Sequence, residues 1–153
     1  MKNSKSAFTM IELIFVIIII GVLASVAVAK FGSMTQTADI ASARSDIAAI
    51  RSAIITERQR SLVRGNASYI TKLTPGAGSA TLFTGDGGVG GNAARTLLMY
   101  GLEKGTGAGQ WERVTDTGYI FHSGNDNTTF IYTPLDGRFD CTVGANECNK
   151  LAN

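Results

Sequence analysis

The residues able to do chemistry in this chain are few and poorly grouped. His122 is the single histidine, with Ser123 and Asp126 close by in sequence. A hydrolytic site needs a nucleophile, a base and an orienting acid brought together from separate positions. One short stretch does not supply that, so His122 is expected to be structural or exposed, and no catalytic residue is assigned. Asp136, Asp140 and Glu147 offer the carboxylate oxygens that calcium takes, but not at the spacing of a calcium loop, so exposed acidic side chains are the expectation. Gly85-Asp86-Gly87-Gly88-Val89-Gly90 spells G-x-G-x-x-G, which binds a pyrophosphate only where a strand turns into a helix within a βαβ unit. The downstream chain reads as short antiparallel strands, so a surface loop is expected there, with Asn92 capping a short helix over roughly 93–100. No metal and no cofactor is expected.

One carboxylate stands out by its surroundings. Glu12 is the only charge between Phe8 and Ala29, inside "KSAFTMIELIFVIIIIGVLASVAVAKF". A carboxylate in a membrane helix costs about 2.5–3.5 kcal/mol on insertion scales, a cost that Leu would avoid. Glu12 therefore calls for a partner.

The apolar stretch of about 22 residues rises far enough to cross a bilayer core. Lys2 and Lys5 before it favour an N-in, C-out orientation. A plain signal anchor and a secretory signal peptide cut at the A-x-A site ending in Ala29 both leave Glu12 without a purpose. Cleavage after Ala29 would release a secreted binding protein or enzyme, which is the alternative of another class.

Behind this segment the chain is polar and glycine-rich, enough for one domain with a small core. The formal charge of +2 rests on Lys2 and Lys5; without them acids and bases balance. No broad basic patch remains, so nucleic-acid binding by the head alone is not expected. Cys141 and Cys148 lack the CxxC spacing and nearby histidine of a zinc site. In a chain led by a membrane or export segment they read as a disulfide, which places the head outside the cytoplasm.

The elements that must position these residues follow from periodicity. "TADIASARSDIAAIRSAIITERQRSLVRG" continues the helix to a cap at Gly65-Asn66. One helix from Phe8 to about Arg64 would be about 85 Å long. Ile40, Ala43, Ile47, Ile50 and Ile54 form one stripe, flanked by Asp39 and Asp46 on one side and by Arg44, Arg51 and Arg58 on the other. That stripe fits either the protein's own sheet or a short coiled-coil seam. Eleven of the eighteen glycines lie between Gly76 and Gly109, so this connector is expected to be loop-rich. "GYIFHSG", "TTFIYTP" and "GRFDCTV" read as a three-stranded antiparallel meander with Tyr119, Phe121, Phe130, Tyr132 and Phe139 available for its core. Asn66-Ala67-Ser68 and Asn127-Thr128-Thr129 are sequons of weak meaning.

The N-terminal 27-residue pattern resembles type IV pilins and the related pseudopilins. The resemblance implies an α+β, pilin-like fold: a long N-terminal helix carrying a small antiparallel head. It implies a leader over residues 1–7, removed by prepilin peptidase between Ala7 and Phe8, with Phe8 then N-methylated. Residues 8–29 become the transmembrane and filament-core helix, and 30–153 the head with the C-terminal half of the helix. In that family the glutamate at the position of Glu12 neutralises the N-terminal amine of a neighbouring subunit, which makes Glu12 an assembly determinant. Two departures exist: Ala7 stands where the family usually has glycine, and Ala29 where it often has proline, so no kink is expected. A C-terminal disulfide loop, as Cys141 and Cys148 would form, has a similar place in type IV pilins.

The implied function is structural, without enzymatic activity. The subunit is held in the inner membrane with its head in the periplasm, then drawn into a filament by a separate ATP-driven assembly platform. Its partners are copies of itself, other pilin-like subunits and prepilin peptidase. The modest head favours a pseudopilin of type II secretion or DNA uptake, and the subunit of a type IV pilus is the alternative.

Overall fold

A computed structural model describes residues 8–88, 93–124, 126–141 and 146–152. The elements in chain order are α1 (Met10–Val63), β1 (Thr81–Leu82), β2 (Leu102–Glu103), β3 (Gln110–Arg113), β4 (Gly118–Ser123), β5 (Asp126–Thr133), β6 (Arg138–Cys141) and α2 (Asn146–Ala152). The chain divides into two units, Met1–Thr35 and Gln36–Asn153. The architecture is the expected α+β one, a long N-terminal helix followed by antiparallel sheets.

Thr9 and Gly65 bound α1. The amide of Glu12 donates to Thr9 Oγ1 at 3.4 Å, the N-cap bond that satisfies an orphan donor of the first turn. At the other end Gly65 takes φ of 83°, with Asn66 N bonded to Ser61 O and Gly65 N to Leu62 O, both at 2.9 Å. This is a Schellman cap, and its left-handed position suits a residue without Cβ. The helix itself holds 54 residues, none of them proline, and runs on through position 29.

In the second unit the isoleucine stripe finds its partner within the chain. Ala43, Ile47, Ile50 and Ile54 are all 2% exposed or less, and Ile40 packs beside them. Each buried isoleucine contributes about 1.5–3 kcal/mol. The coiled-coil alternative is thereby replaced, and the flanking charges show why it had looked plausible. Arg44 Nε donates to Lys150 O at 2.6 Å. Arg51 donates to Phe139 O at 3.0 Å and to Asp140 at 2.8 Å. The Arg58 guanidinium lies 3.9 Å above the Tyr69 ring. Asp46 accepts the indole N–H of Trp111 at 3.0 Å. Charges spaced like those of a heptad hold the head to its own helix.

The main sheet has four strands in the order β3-β4-β5-β6, all antiparallel. The expected meander was therefore one strand short. The missing strand is β3, in which only Trp111 is buried, too weak an alternation to announce a strand. Period-two burial puts Trp111, Tyr119, Phe121, Phe130, Tyr132 and Phe139 on the inner face, each 1% exposed or less. Cross-strand pairs Trp111↔Phe121 and Tyr132↔Phe139 set their register. Phe83 meets Trp111, Tyr119 and Phe139 at ring-centroid distances of 4.5–5.7 Å. It does so with φ of 61°, a conformation that costs a non-glycine residue energy. Its amide is held by Thr74 Oγ1 at 3.1 Å, and that hydroxyl also lies 3.0 Å from Tyr119 Oη. Tyr132 Oη donates to Ile70 O at 2.7 Å. Burial of Tyr119 and Tyr132 pushes both phenols above their ordinary value, so they stay neutral donors.

The short helix expected at 93–100 is absent. Residues 93–98 have no regular structure beyond the isolated bridge of Thr96 to Gly85; Leu97 N and Leu98 N donate to Thr84 O and Phe83 O. Asn92, its expected cap, lies outside the described residues. Sequence reasoning also missed Glu57, which continues the isoleucine stripe and is 3% exposed. Its carboxylate takes both Arg95 Nε, at 2.6 Å, and Arg95 Nη2. Arg95 further donates to Ser68 O at 3.0 Å, and its amide to Asp86 Oδ1 at 2.9 Å. One buried ion pair thus fastens α1 to both loops of the connector.

Two outcomes are expected in urea and thermal melts of the detergent-solubilised full chain. Glu57→Leu strands the Arg95 charge and costs about 3–5 kcal/mol, whereas Glu57→Leu with Arg95→Met recovers most of it; equal losses in both would show that the pair itself is not what counts. Burial, partly offset by the Trp111 bond, raises the Asp46 carboxyl above its ordinary value. The folded state then keeps a proton that the unfolded state has lost, so stability falls as pH rises from the ordinary to the raised value. Asp46→Asn keeps an acceptor but has no charge to desolvate. Its melting temperature should exceed wild type at about pH 7 and match it at about pH 3, and a difference independent of pH would refute this account.

Candidate functional site

The first unit contains the sequence's one isolated carboxylate. Met10 opens α1, so Glu12 lies in its first turn, where an acid meets the positive end of the helix macrodipole. Thr9-Met10-Ile11-Glu12 has the S/T-x-x-E form of a capping box, and the Thr9 bond to the Glu12 amide makes its forward half. That signal was available in the sequence and gives Glu12 a local role. The magnitudes show that it is not enough. An acid in an exposed first turn is worth about 0.3–1 kcal/mol, less than the insertion cost of a carboxylate.

Phe8 is 75% exposed, Leu13 57%, Ile17 58% and Leu23 64%. None of the most apolar window of α1 is buried, and its mean hydropathy reaches 3.0. A helix apolar on every side meets lipid or other helices rather than water. The Ser25 hydroxyl is satisfied within the helix, donating to Val22 O at 2.8 Å, as a low-dielectric medium requires. Apart from its chain neighbours and the local helix backbone, nothing lies within 4 Å of where a Gly21 Cβ would be, so a neighbouring helix can approach its backbone closely. Among the described residues, Glu12 has no acidic or basic side chain beside it. Residues 1–7, including Ala7 and the Ala7–Phe8 bond, lie outside the described residues, as does the side chain of Ala29.

The other candidates are used structurally. His122 Nδ1 lies 2.8 Å from Asn127 Oδ1 and Nε2 3.1 Å from Glu112 Oε2. Ser123 Oγ turns away and donates to Asp126 O at 3.0 Å. The three are not brought together as a triad. Asp140 gives one oxygen to Arg51 at 2.8 Å and the other to Arg138 at 2.9–3.0 Å, while Asp136 accepts the Arg138 amide. The side chain of Glu147 lies outside the described residues, and among the described residues no three potential metal ligands gather. The G-x-G-x-x-G loop follows a two-residue strand that pairs antiparallel, and its Asp86 accepts from the amides of Gly88 within it and Arg95 beyond it; Val89 and Gly90 lie outside the described residues. Asn66 Oδ1 accepts from the Ser68 amide and hydroxyl, and Asn127 faces His122, so both sequon asparagines sit in local polar contacts.

Cys141 and Cys148 are joined, with Cα atoms 5.7 Å apart. The bridge ties the end of β6 to α2, whose Leu151 is 2% exposed in the core.

Residues 2–28 match a family model described as the prokaryotic N-terminal methylation motif. No curated protein and no solved structure matches the chain.

Two results are expected of the cysteines. Neither should be alkylated in unreduced protein. Replacing both by alanine should cost about 2–3 kcal/mol, the loop-entropy value for so short a closure, and an unchanged urea midpoint would show that α2 docks without the bridge.

Proposed function

Starting from an N-terminus of the type IV pilin and pseudopilin kind, we propose that this chain is a structural subunit of a pilus or pseudopilus filament. The observation that carries the reading is the union of the methylation motif over residues 2–28 with a helix that is apolar on every side and interrupted by Glu12 alone. The chain is stored in the inner membrane through residues 8–29, with its head in the periplasm, where the Cys141–Cys148 bridge persists. Prepilin peptidase hydrolyses the Ala7–Phe8 bond, residues 1–7 leave, and the new amine of Phe8 is methylated. That amine is a cation at the membrane surface. During assembly Glu12 of one copy pairs with the Phe8 amine of its neighbour, and two charges that are each costly in lipid become tolerable together. The exposed apolar side chains of residues 8–28 then pack against their counterparts, driven from below by an assembly platform.

The small head favours a pseudopilin of type II secretion or DNA uptake. A surface type IV pilus is the second reading, supported by the disulfide after the last strand. Filament formation, and not chemistry, is the work of the molecule in both.

Glu12→Ala and Glu12→Gln should insert in the membrane and lose the leader as wild type does, because the cut bond lies outside this side chain. Assembly should fail in both. Glu12→Asp, shorter by about 1.5 Å, should assemble at an intermediate level. Each variant is expressed without wild-type subunit, with its assembly machinery, and compared for membrane level, intact mass and sheared filament yield. Normal filament from Glu12→Ala would remove the assembly role of Glu12. A mature chain beginning at Lys30 in place of methylated Phe8 would overturn the reading as a whole.

A further inference from the structure

The head carries unmatched charge of opposite sign at its two ends. From residue 36 onward acids and bases balance, and most are paired within the head. Among the described residues, the side chains of Arg60 and Arg64 have no hydrogen-bond or ion-pair partner, and neither do those of Asp39 and Asp126.

Contacts along α1 show which end each occupies. Asp39 approaches Gly109, where an added Cβ would come within 2.9 Å of its Oδ1. Gly109 N in turn donates to His122 O at 2.7 Å, at the end of the sheet where β4 turns into β5 and Asp126 stands. Further on, Arg51 reaches β6, and Arg58 covers Tyr69, whose ring lies against Gly137 in the turn between β5 and β6. The strands therefore run along α1. Acids sit where this part of the helix begins, and arginines where it ends, about 31 Å further along.

The arginine end has a shaped receptor. Arg60 and Arg64, one turn apart, border a cleft of about 70 Å³ with Ala94, Arg95, Thr96 and Glu57. Glu57 and Arg95 neutralise each other at its base, which leaves the rim positive. The helix end itself has little use for two more cations, because the amides of Gly65 and Asn66 already cap its carbonyls.

We infer that the Arg60–Arg64 end of one head receives the Asp39 and Asp126 carboxylates of the next copy, head to tail. Two different patches meeting in this way make a heterologous contact, which closes into a ring or propagates into an open helical array and does not make a two-fold dimer; the filament reading takes the open case. Each exposed pair is weak and screened by salt, but the contact recurs at every subunit and sets direction and register. The inference rests on the filament reading and names the head surface that reading leaves open.

The test is zero-length carbodiimide coupling of Arg60→Lys/Arg64→Lys full-length protein, expressed with its assembly machinery, followed by peptide mass spectrometry. A bond from Lys at 60 or 64 to Asp39 or Asp126 can arise only between copies, because Asp39 and position 60 are about 31 Å apart along α1 and Asp126 stands at the Asp39 end of the head. That cross-link is the expected result, together with sheared filament yield lowered about tenfold or more by Arg60→Glu/Arg64→Glu. Adding Asp39→Lys/Asp126→Lys should restore the yield, with melting temperature unchanged throughout. Filaments without the cross-link, or unaffected by reversal, overturn this surface and leave the filament reading standing. The cross-link in protein that never forms filaments upholds the surface and overturns the filament reading. Neither cross-link nor filament overturns both.

Discussion

One helix has to satisfy two surroundings, and the rest of the structure depends on how it does so. From Met10 to Val28 α1 is apolar on every side, and none of the described residues covers it. From Ile40 to Ile54 the apolar residues narrow to a stripe, and the sheet covers them. A uniform helix could do only one of these things. All-round apolarity would drag the head into lipid, and a single stripe would leave polar flanks in the membrane. The change of pattern near residue 30 coincides with the division of the chain into two units.

Inside the head, direction is set by polar contacts and cohesion by aromatic ones. The inner face of the sheet is a run of rings, and such a surface tolerates sliding by a residue or two. The arginines spaced seven apart prevent that, because Arg44, Arg51 and Arg58 each reach a different part of the head. The Glu57–Arg95 pair does the same for the connector. A buried ion pair is poor evidence of net stability, but as a register device it fits the otherwise irregular loop it fastens.

What the sequence disclosed followed the strength of local pattern. The long helix, its glycine cap, strands β4 to β6 and the pairing of the two cysteines were all legible, since each rests on neighbouring residues. Strand β3 was not, because its burial alternates weakly and its place is decided by Trp111 reaching Asp46. The helix expected at 93–100 failed for the opposite reason: a run with good propensity was claimed by long-range hydrogen bonds to Phe83 and Thr84. Glu57 was hidden by its type. It occupies an isoleucine position of the stripe, and a charge there makes sense only once Arg95 is known to arrive. At the N-terminus the apolar stretch and its lone carboxylate were plain from the start, whereas the Thr9 cap, written in four residues, was overlooked in favour of the larger anomaly.

The Arg51–Phe139 hydrogen bond joins residues 88 positions apart, and this has a bearing on how the molecule comes into being. A chain is made from its N-terminus, so the isoleucine stripe exists long before β6, which completes its cover. Until then a half-helix with a bare apolar face stands beside a glycine-rich segment that cannot shield it. Local contacts cannot start the head early, and its ordering is a late, concerted event of high contact order. For that interval the young chain resembles an aggregation-prone intermediate, with its apolar stripe uncovered until the last strand arrives.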